Sequence, residues 1–270
     1  MALETGSAHA GRLLREWRER RNLSQLRLAS ASAISARHLS FVETGRARAS
    51  RTMLLHLAER LDLPLRERNR LLLAAGYAPA YGERSLDDDE MRAVREALER
   101  LLAAHEPYPA VVVDRGWSLV LANAAVAFLT DGVDPELLEP PANALRATLH
   151  PHGLAPRILN FAEWSAHLLH RLRRELEATG DPALEALFEE LRGYPGVRAD
   201  PLPADGAAPA QVVLPLHLRH GHRRLSFFAT VTTFGTPADV TLAELSVEAF
   251  YPADAATAAV LRTGAASGGG

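Results

Sequence analysis

Residues 23–46, Leu-Ser-Gln-Leu-Arg-Leu-Ala-Ser-Ala-Ser-Ala-Ile-Ser-Ala-Arg-His-Leu-Ser-Phe-Val-Glu-Thr-Gly-Arg, read as two short helices joined by a tight turn. Ser24 is an N-cap residue, and Gln25 opens the first helix with a free side-chain amide. Leu28 and Ala29 lie on its inner face. The turn falls at Ser32-Ala33-Ile34. Ser35 caps a second helix that runs to about Thr44, where Gly45 stops it. Leu39 and Val42 are spaced i, i+3 and face a core together with Ile34. Ala36, Arg37, His38, Ser40 and Phe41 are left to point elsewhere. Such a unit can place its second helix in a DNA major groove.

More helix surrounds the pair. Leu13, Leu14 and Trp17 share a face over 11–21, with Asn22 as a left-handed C-cap. Ser50 caps a helix carrying Leu54, Leu57, Ala58 and Leu61. Pro64 opens a last helix that ends near Gly76. Charge divides along the chain: residues 1–80 hold 14 Arg against seven acids, and residues 81–270 hold 16 Arg against 26 acids. A basic head on an acidic body presents one end to a polyanion.

The block resembles the Cro/C1-type (XRE) helix-turn-helix family over about residues 10–76. Leu23-Ser24-Gln25, Leu28-Ala29, Ile34-Ser35 and Val42-Glu43-Thr44-Gly45-Arg46 carry the match. The resemblance implies an Arg18–Glu43 ion pair tying the first helix to the recognition helix, and phosphate contacts from Gln25 and Ser35. Arg37 is the candidate base reader, because Arg forks onto guanine O6 and N7. Ala36, His38, Ser40 and Phe41 complete the reading face, and Arg46 lies near the DNA backbone. The family usually has Gly in the turn; Ala33 stands there instead, at about 1 kcal/mol if the turn is left-handed.

The rest of the chain is long enough for a second domain. Tyr77–Asp89 reads as a linker, and a helix follows over 88–104. Ala110–Val113 and Trp117–Leu121 form a hairpin around Asp114-Arg115-Gly116. Asn123 reads as an N-cap for 124–129. Long helices follow over about 160–178 and from Pro182 to Arg192, and then a loop over 193–209. Strands close the domain at 211–219, 224–235 and about 242–250. Leu225, Phe227, Ala229 and Val231 alternate with polar or outward residues, the period of a half-buried strand. The tail from Thr263 is expected to be disordered. The fold class is therefore multi-domain: an all-α five-helix bundle, then an α+β PAS-like domain with a five-stranded antiparallel sheet. The boundaries fall at 1–78, 79–104 (linker and connecting helix), 105–262 and 263–270.

This second part resembles the MmyB-like ligand-binding domain of transcription regulators. The match rests on Asp114-Arg115-Gly116-Trp117, Leu121-Ala122-Asn123, Asn143-Ala144-Leu145-Arg146 and Leu149-His150-Pro151-His152-Gly153-Leu154. It continues in Asn160-Phe161-Ala162-Glu163-Trp164, Leu172-Arg173-Arg174 and Phe234 through Phe250. The resemblance implies a PAS-like fold that holds a fatty-acid-like or other apolar molecule. For a carboxylate-headed lipid, Arg146, His150, Asn160, Trp164 and His167 are the candidate polar end, and Phe227, Ala229 and Val231 the candidate sheet wall. A purely structural role for each polar residue is an equal reading: Asn143 and Asn160 as caps, Arg146 as an ion pair, Trp164 as core.

Other chemistry finds little support. The chain has no Cys, so no disulfide or thiolate site exists. It has no Lys, no apolar run near the length of a bilayer span and no signal-peptide pattern at its start. His150-x-His152, His167-x-x-His170 and His217-x-x-His220-x-His222 have usable metal spacings, but zinc needs three or four convergent ligands and no carboxylate partner is evident. We assign no metal, no cofactor and no catalytic residue; no Walker loop, Gly-x-Ser-x-Gly or Gly-x-Gly-x-x-Gly occurs. The expectation is a bacterial, cytoplasmic, sequence-specific DNA-binding regulator that senses a small apolar ligand. It would act as a homodimer on a pseudo-palindrome with half-sites about 34–36 Å apart. The alternative is a constitutive DNA-binding protein whose C-terminal domain serves only for dimerisation.

Overall fold

The computed structural model describes residues 2–198 and 214–267, in two compact units. The first comprises the chain to Arg84 together with Thr236–Ala243. Five helices build it: α1 (Ala2–Arg20), α2 (Gln25–Ala31), α3 (Ala36–Glu43), α4 (Arg51–Arg60) and α5 (Leu65–Ala74). Serine caps start three of them. Ser24, Ser35 and Ser50 accept from the backbone N–H groups of Arg27, His38 and Met53, each satisfying a donor that the first turn leaves open. Leu14, Leu28, Leu39, Leu57 and Leu72 are fully buried at the centre, with Trp17 beside them. Asn22 and Ala33 both adopt positive φ, 54° and 53°. The α2–α3 turn is thus the left-handed one, and Ala33 bears its strain. Gly11 lets α1 approach α3 closely: a Cβ there would lie 2.3 Å from the Val42 carbonyl oxygen.

After α5 the chain folds back on the bundle. The buried Asn69 accepts from the N–H groups of Ala80 and Tyr81 and donates to the Tyr81 carbonyl. The first residues of the expected linker are therefore fastened to the helices. A short turn, α11 (Val240–Ala243), completes this unit. Val240 N–H donates to the Gly82 carbonyl at 2.7 Å, and Arg84 pairs with Asp239 at 3.1 Å.

The second unit opens with α6 (Arg92–Ala104) and continues through β1 (Ala110–Val113), β2 (Leu119–Ala122), α7 (Val126–Thr130), α8 (Ala144–Leu149), α9 (Phe161–Thr179) and α10 (Pro182–Arg192). It closes with β3 (Leu216–His220), β4 (Arg223–Thr233), β5 (Ser246–Pro252) and α12 (Ala255–Ser267). The five strands form one antiparallel sheet in the order β2-β1-β5-β4-β3. The expected α+β domain with a five-stranded antiparallel sheet is present. Trp164, Leu168, Leu169 and Leu172 on α9 pack with Leu145 and Leu149 on α8, Leu187 and Phe188 on α10, and Leu216, Leu225 and Phe227 on the sheet.

Three local expectations are corrected. Asn123 does not cap α7: its Oδ1 accepts from Ala110 N–H, and its Nδ2 donates to the Leu102 and Tyr108 carbonyls. Buried backbone groups needed those partners more than the helix start did. Residues 240–243 form a helical turn, so the last strand begins at Ser246. Thr263–Ser267 continue α12; only 268–270 of the expected disordered tail lie outside the described residues. Likewise 211–213 of the expected third strand and 199–209 of the expected loop lie outside them.

Candidate DNA-reading helix and ligand cavity

The orientation of α3 is set by a buried ion pair. Arg18 Nε donates to Glu43 Oε1 at 2.7 Å, and Arg18 Nη2 donates to Oε2 at 3.0 Å. The Arg18 and Glu43 side chains are 9% and 1% exposed, which makes the fork geometry decisive rather than ornamental. Glu43 and, to a lesser degree, Glu19 hold the guanidinium pKa above its ordinary value. Gln25 Nε2 also donates to Glu43 Oε2, at 2.8 Å. This corrects the expectation of a free amide: Glu43 has a spare lone pair, and Gln25 lies within its reach.

On the opposite side of α3, Arg37 and His38 are exposed, as is Arg46 beyond its end. Ser40 and Phe41 are half-buried, and the Arg37 guanidinium lies 5.4 Å above the Phe41 ring. Ser35 spends its oxygen as the cap acceptor for His38 N–H, which leaves its hydroxyl hydrogen free to meet a phosphate. Ala36 is half-buried and packs against the core. The outward face is therefore Arg37, His38, Ser40 and Phe41, flanked by Ser35 and Arg46.

In the second unit a cavity of about 100 Å³ lies between the sheet and α7–α9. Its wall is almost wholly apolar and includes Val111, Trp117, Leu129, Leu145, Leu168 and Phe250. Of the eight residues expected to bind a ligand, Trp164 lines it. The others do not, for separable reasons. Arg146 is held at the surface by Glu190 through bonds of 2.8 and 2.7 Å. Tyr194 donates to the same carboxylate at 2.6 Å, and that contact, after burial, pushes the Tyr194 pKa up to about 12. His150 ends α8, its ring against His152 and Tyr194. Asn160 fastens β3 to the start of α9, accepting from His217 N–H and donating to the Pro215 carbonyl. His167 is on the exposed flank of α9, its ring 5.5 Å from that of Trp164.

The expected sheet wall is also displaced. Phe227 is fully buried in the core but outside the lining. Ala229 and Val231 lie further along β4, beyond Phe227, the last partner of β3. Among the described residues no strand pairs with β4 on that side, and Val231 is 47% exposed. Val111, Leu119, Leu216, Glu248 and Phe250 supply the wall instead.

A polar cluster that the sequence reading missed borders the cavity. Trp117, in the left-handed region at φ 63°, points its indole N–H at Glu175 Oε2, 2.8 Å away. The Arg171 guanidinium stacks 4.2 Å above the Trp117 ring. Its Nη1 lies 2.6 Å from Glu248 Oε1 and its Nε 3.5 Å from Glu175 Oε1. Burial raises the Glu175 pKa above the usual carboxylate range, against the pull of Arg171. One signal could have found this cluster: an acid, Glu248, inside the otherwise apolar run Val247–Tyr251. Among the described residues no three metal-ligating side chains converge, and no helix is long and apolar enough to cross a membrane.

A serine-capped two-helix unit with a polar outward face, followed by a sheet-and-helix domain enclosing an apolar cavity, is the architecture of a DNA-binding transcription regulator with a ligand-binding domain. Residues 9–71 match a helix-turn-helix domain family, and residues 94–263 match the MmyB-like transcription regulator ligand binding domain. The second match spans more than half of the chain: the protein belongs to the MmyB-like transcription regulators. Both families are regulator domains rather than enzymes. Among solved structures, the restriction-modification controller protein C.AhdI from Aeromonas hydrophila is 36% identical over 23% of this chain and 92% of its own, with a TM-score of 0.22. An RNA-binding Light-Oxygen-Voltage receptor is 15% identical over 94% of this chain and 60% of its own, with a TM-score of 0.29. No curated protein matches the chain.

Proposed function

We propose that the protein binds a pseudo-palindromic operator as a homodimer, reads base edges with Arg37, and adjusts that binding to a small apolar molecule held in the cavity. The observation that carries the reading is the exposed Arg37-His38 face of α3 on a helix fixed from behind by the buried Arg18–Glu43 pair. Rigid support is what a base-reading side chain needs, because discrimination depends on bidentate geometry. Gln25 and Ser35 flank the face as phosphate contacts, Gln25 with the amide N–H that Glu43 does not take. Such a regulator acts where the DNA is, in a bacterial cytoplasm.

The cavity supports a modest ligand. An engineered cavity of about 150 Å³ holds benzene, so about 100 Å³ suits a single ring or a short chain rather than a full-length acyl chain. Trp164 is the wall residue on which both lines of reasoning meet. For coupling, the chain between β4 and β5 contains Thr236–Ala243, the segment that belongs to the helical unit; strand shifts on ligand binding would reach it along the backbone.

The test is a binding titration on DNA fragments selected from a random pool. Arg37→Ala should cost about 1–3 kcal/mol and relax preference at one base position. Intact affinity and unchanged preference would remove Arg37 from the reading face. If occupancy of the cavity leaves operator affinity unaltered, the constitutive reading holds instead.

A further inference from the structure

We infer that the cavity selects an apolar molecule headed by a hydrogen-bond donor, a hydroxyl or an amine, and rejects one headed by a carboxylate. The inference rests on the reading of the cavity as a ligand site and narrows its chemistry.

The wall carries one charged side chain, Glu248, and no cationic one. Glu248 is 7% exposed. Its Oε1 is ion-paired with Arg171 Nη1 at 2.6 Å but receives no aligned hydrogen bond. A buried carboxylate oxygen in that condition is an acceptor in want of a donor. Arg171 is shared between Glu248 and Glu175.

The donors in the wall are meanwhile committed. Trp117 gives its N–H to Glu175, Asn143 donates to the Gly116 carbonyl, and Thr130 and Thr148 donate to the Val126 and Ala144 carbonyls. Trp164 adds a neutral indole N–H. An anionic headgroup would therefore meet a like charge in a low-dielectric setting, with no cationic side chain in the wall and Arg171 already held by Glu248 and Glu175. A hydroxyl or ammonium group would satisfy Glu248 and keep its apolar body against Leu129, Leu145, Leu168 and Phe250.

Four probes of nearly equal size separate the possibilities by calorimetric titration of the full-length protein at neutral pH: toluene, benzyl alcohol, benzylamine and benzoate. Benzyl alcohol and benzylamine should bind at least roughly ten-fold more tightly than benzoate, a ratio equivalent to one decade of affinity. In Glu248→Gln that preference over benzoate should collapse. Benzoate matching the donor-headed probes, or toluene binding while neither of them does, overturns the inference and leaves the apolar site standing. Failure of all four to bind removes the site itself. The wild-type series decides the question even if the variant does not fold.

Discussion

Glu43→Ala is the sharpest probe of the head. Glu43 is 3% exposed and Arg18 7% exposed. Glu43 accepts three hydrogen bonds, at 2.7 and 3.0 Å from Arg18 and at 2.8 Å from Gln25. Truncation removes all three and strands a buried guanidinium. Its surviving partners are the Leu23 carbonyl at 2.8 Å and Glu19 at 3.4 Å, too few for five N–H donors. Removing one partner of a buried pair costs about 3–5 kcal/mol. That is a large share of the roughly 5–15 kcal/mol that holds a domain folded. Hydrogen exchange at the α3 amides of the full-length protein reads the effect in the head alone. Exchange there should accelerate by roughly two to four orders of magnitude, at about 1.4 kcal/mol per decade. The double replacement Arg18→Met with Glu43→Leu should recover most of the loss, since it leaves no unpaired charge. A loss below about 1 kcal/mol for Glu43→Ala would refute the assignment of α3's orientation to this pair.

Three further outcomes follow from the packing and charge. Gly11→Ala should gain about 1 kcal/mol of helix propensity. The new Cβ would meet the Val42 and Glu43 carbonyl oxygens at 2.3 and 2.7 Å, so thermal unfolding should show a net loss of about 1–3 kcal/mol; a gain would mean that α1 and α3 are not so closely apposed. Trp164→Ala should lower the stability of the second unit by about 3–5 kcal/mol and weaken toluene uptake, and unchanged uptake in a folded variant would take Trp164 out of the wall. Glu175 should leave a mark on pH dependence. Its folded-state pKa is raised by burial, so the folded form holds the proton more tightly than the unfolded one. Stability should therefore fall as pH rises from the ordinary carboxylate range through the raised value. Urea unfolding of Glu175→Gln should lack that slope relative to wild type, and parallel profiles would place the titration elsewhere.

Much of the fold was legible because it rests on local signals. Serine caps, left-handed stops at Asn22 and Gly45, and i, i+3 apolar spacing mark out α2 and α3 within a residue or two. The β1–β2 hairpin was legible for the same reason. Failures came where a side chain had a choice of partners. Asn123 and Asn160 look like caps by position, yet both serve distant backbone groups. Arg146 looks like a headgroup ligand, yet Glu190, 44 residues away, claims it. Gln25 has a neighbour 18 residues on that nothing local announces.

Residue order alone decided the caps of α2 and α3, which of their faces are apolar, and that Arg37 and His38 are surplus to the core, since each of these depends on neighbours within a turn. Tertiary packing alone decided the cavity. Its wall gathers Val111, Trp164 and Phe250 from far-apart segments, and its one charged member, Glu248, acquires meaning only beside Arg171 and Glu175. Charge balance in a packed interior is a property of who ends up next to whom, and no periodicity encodes it.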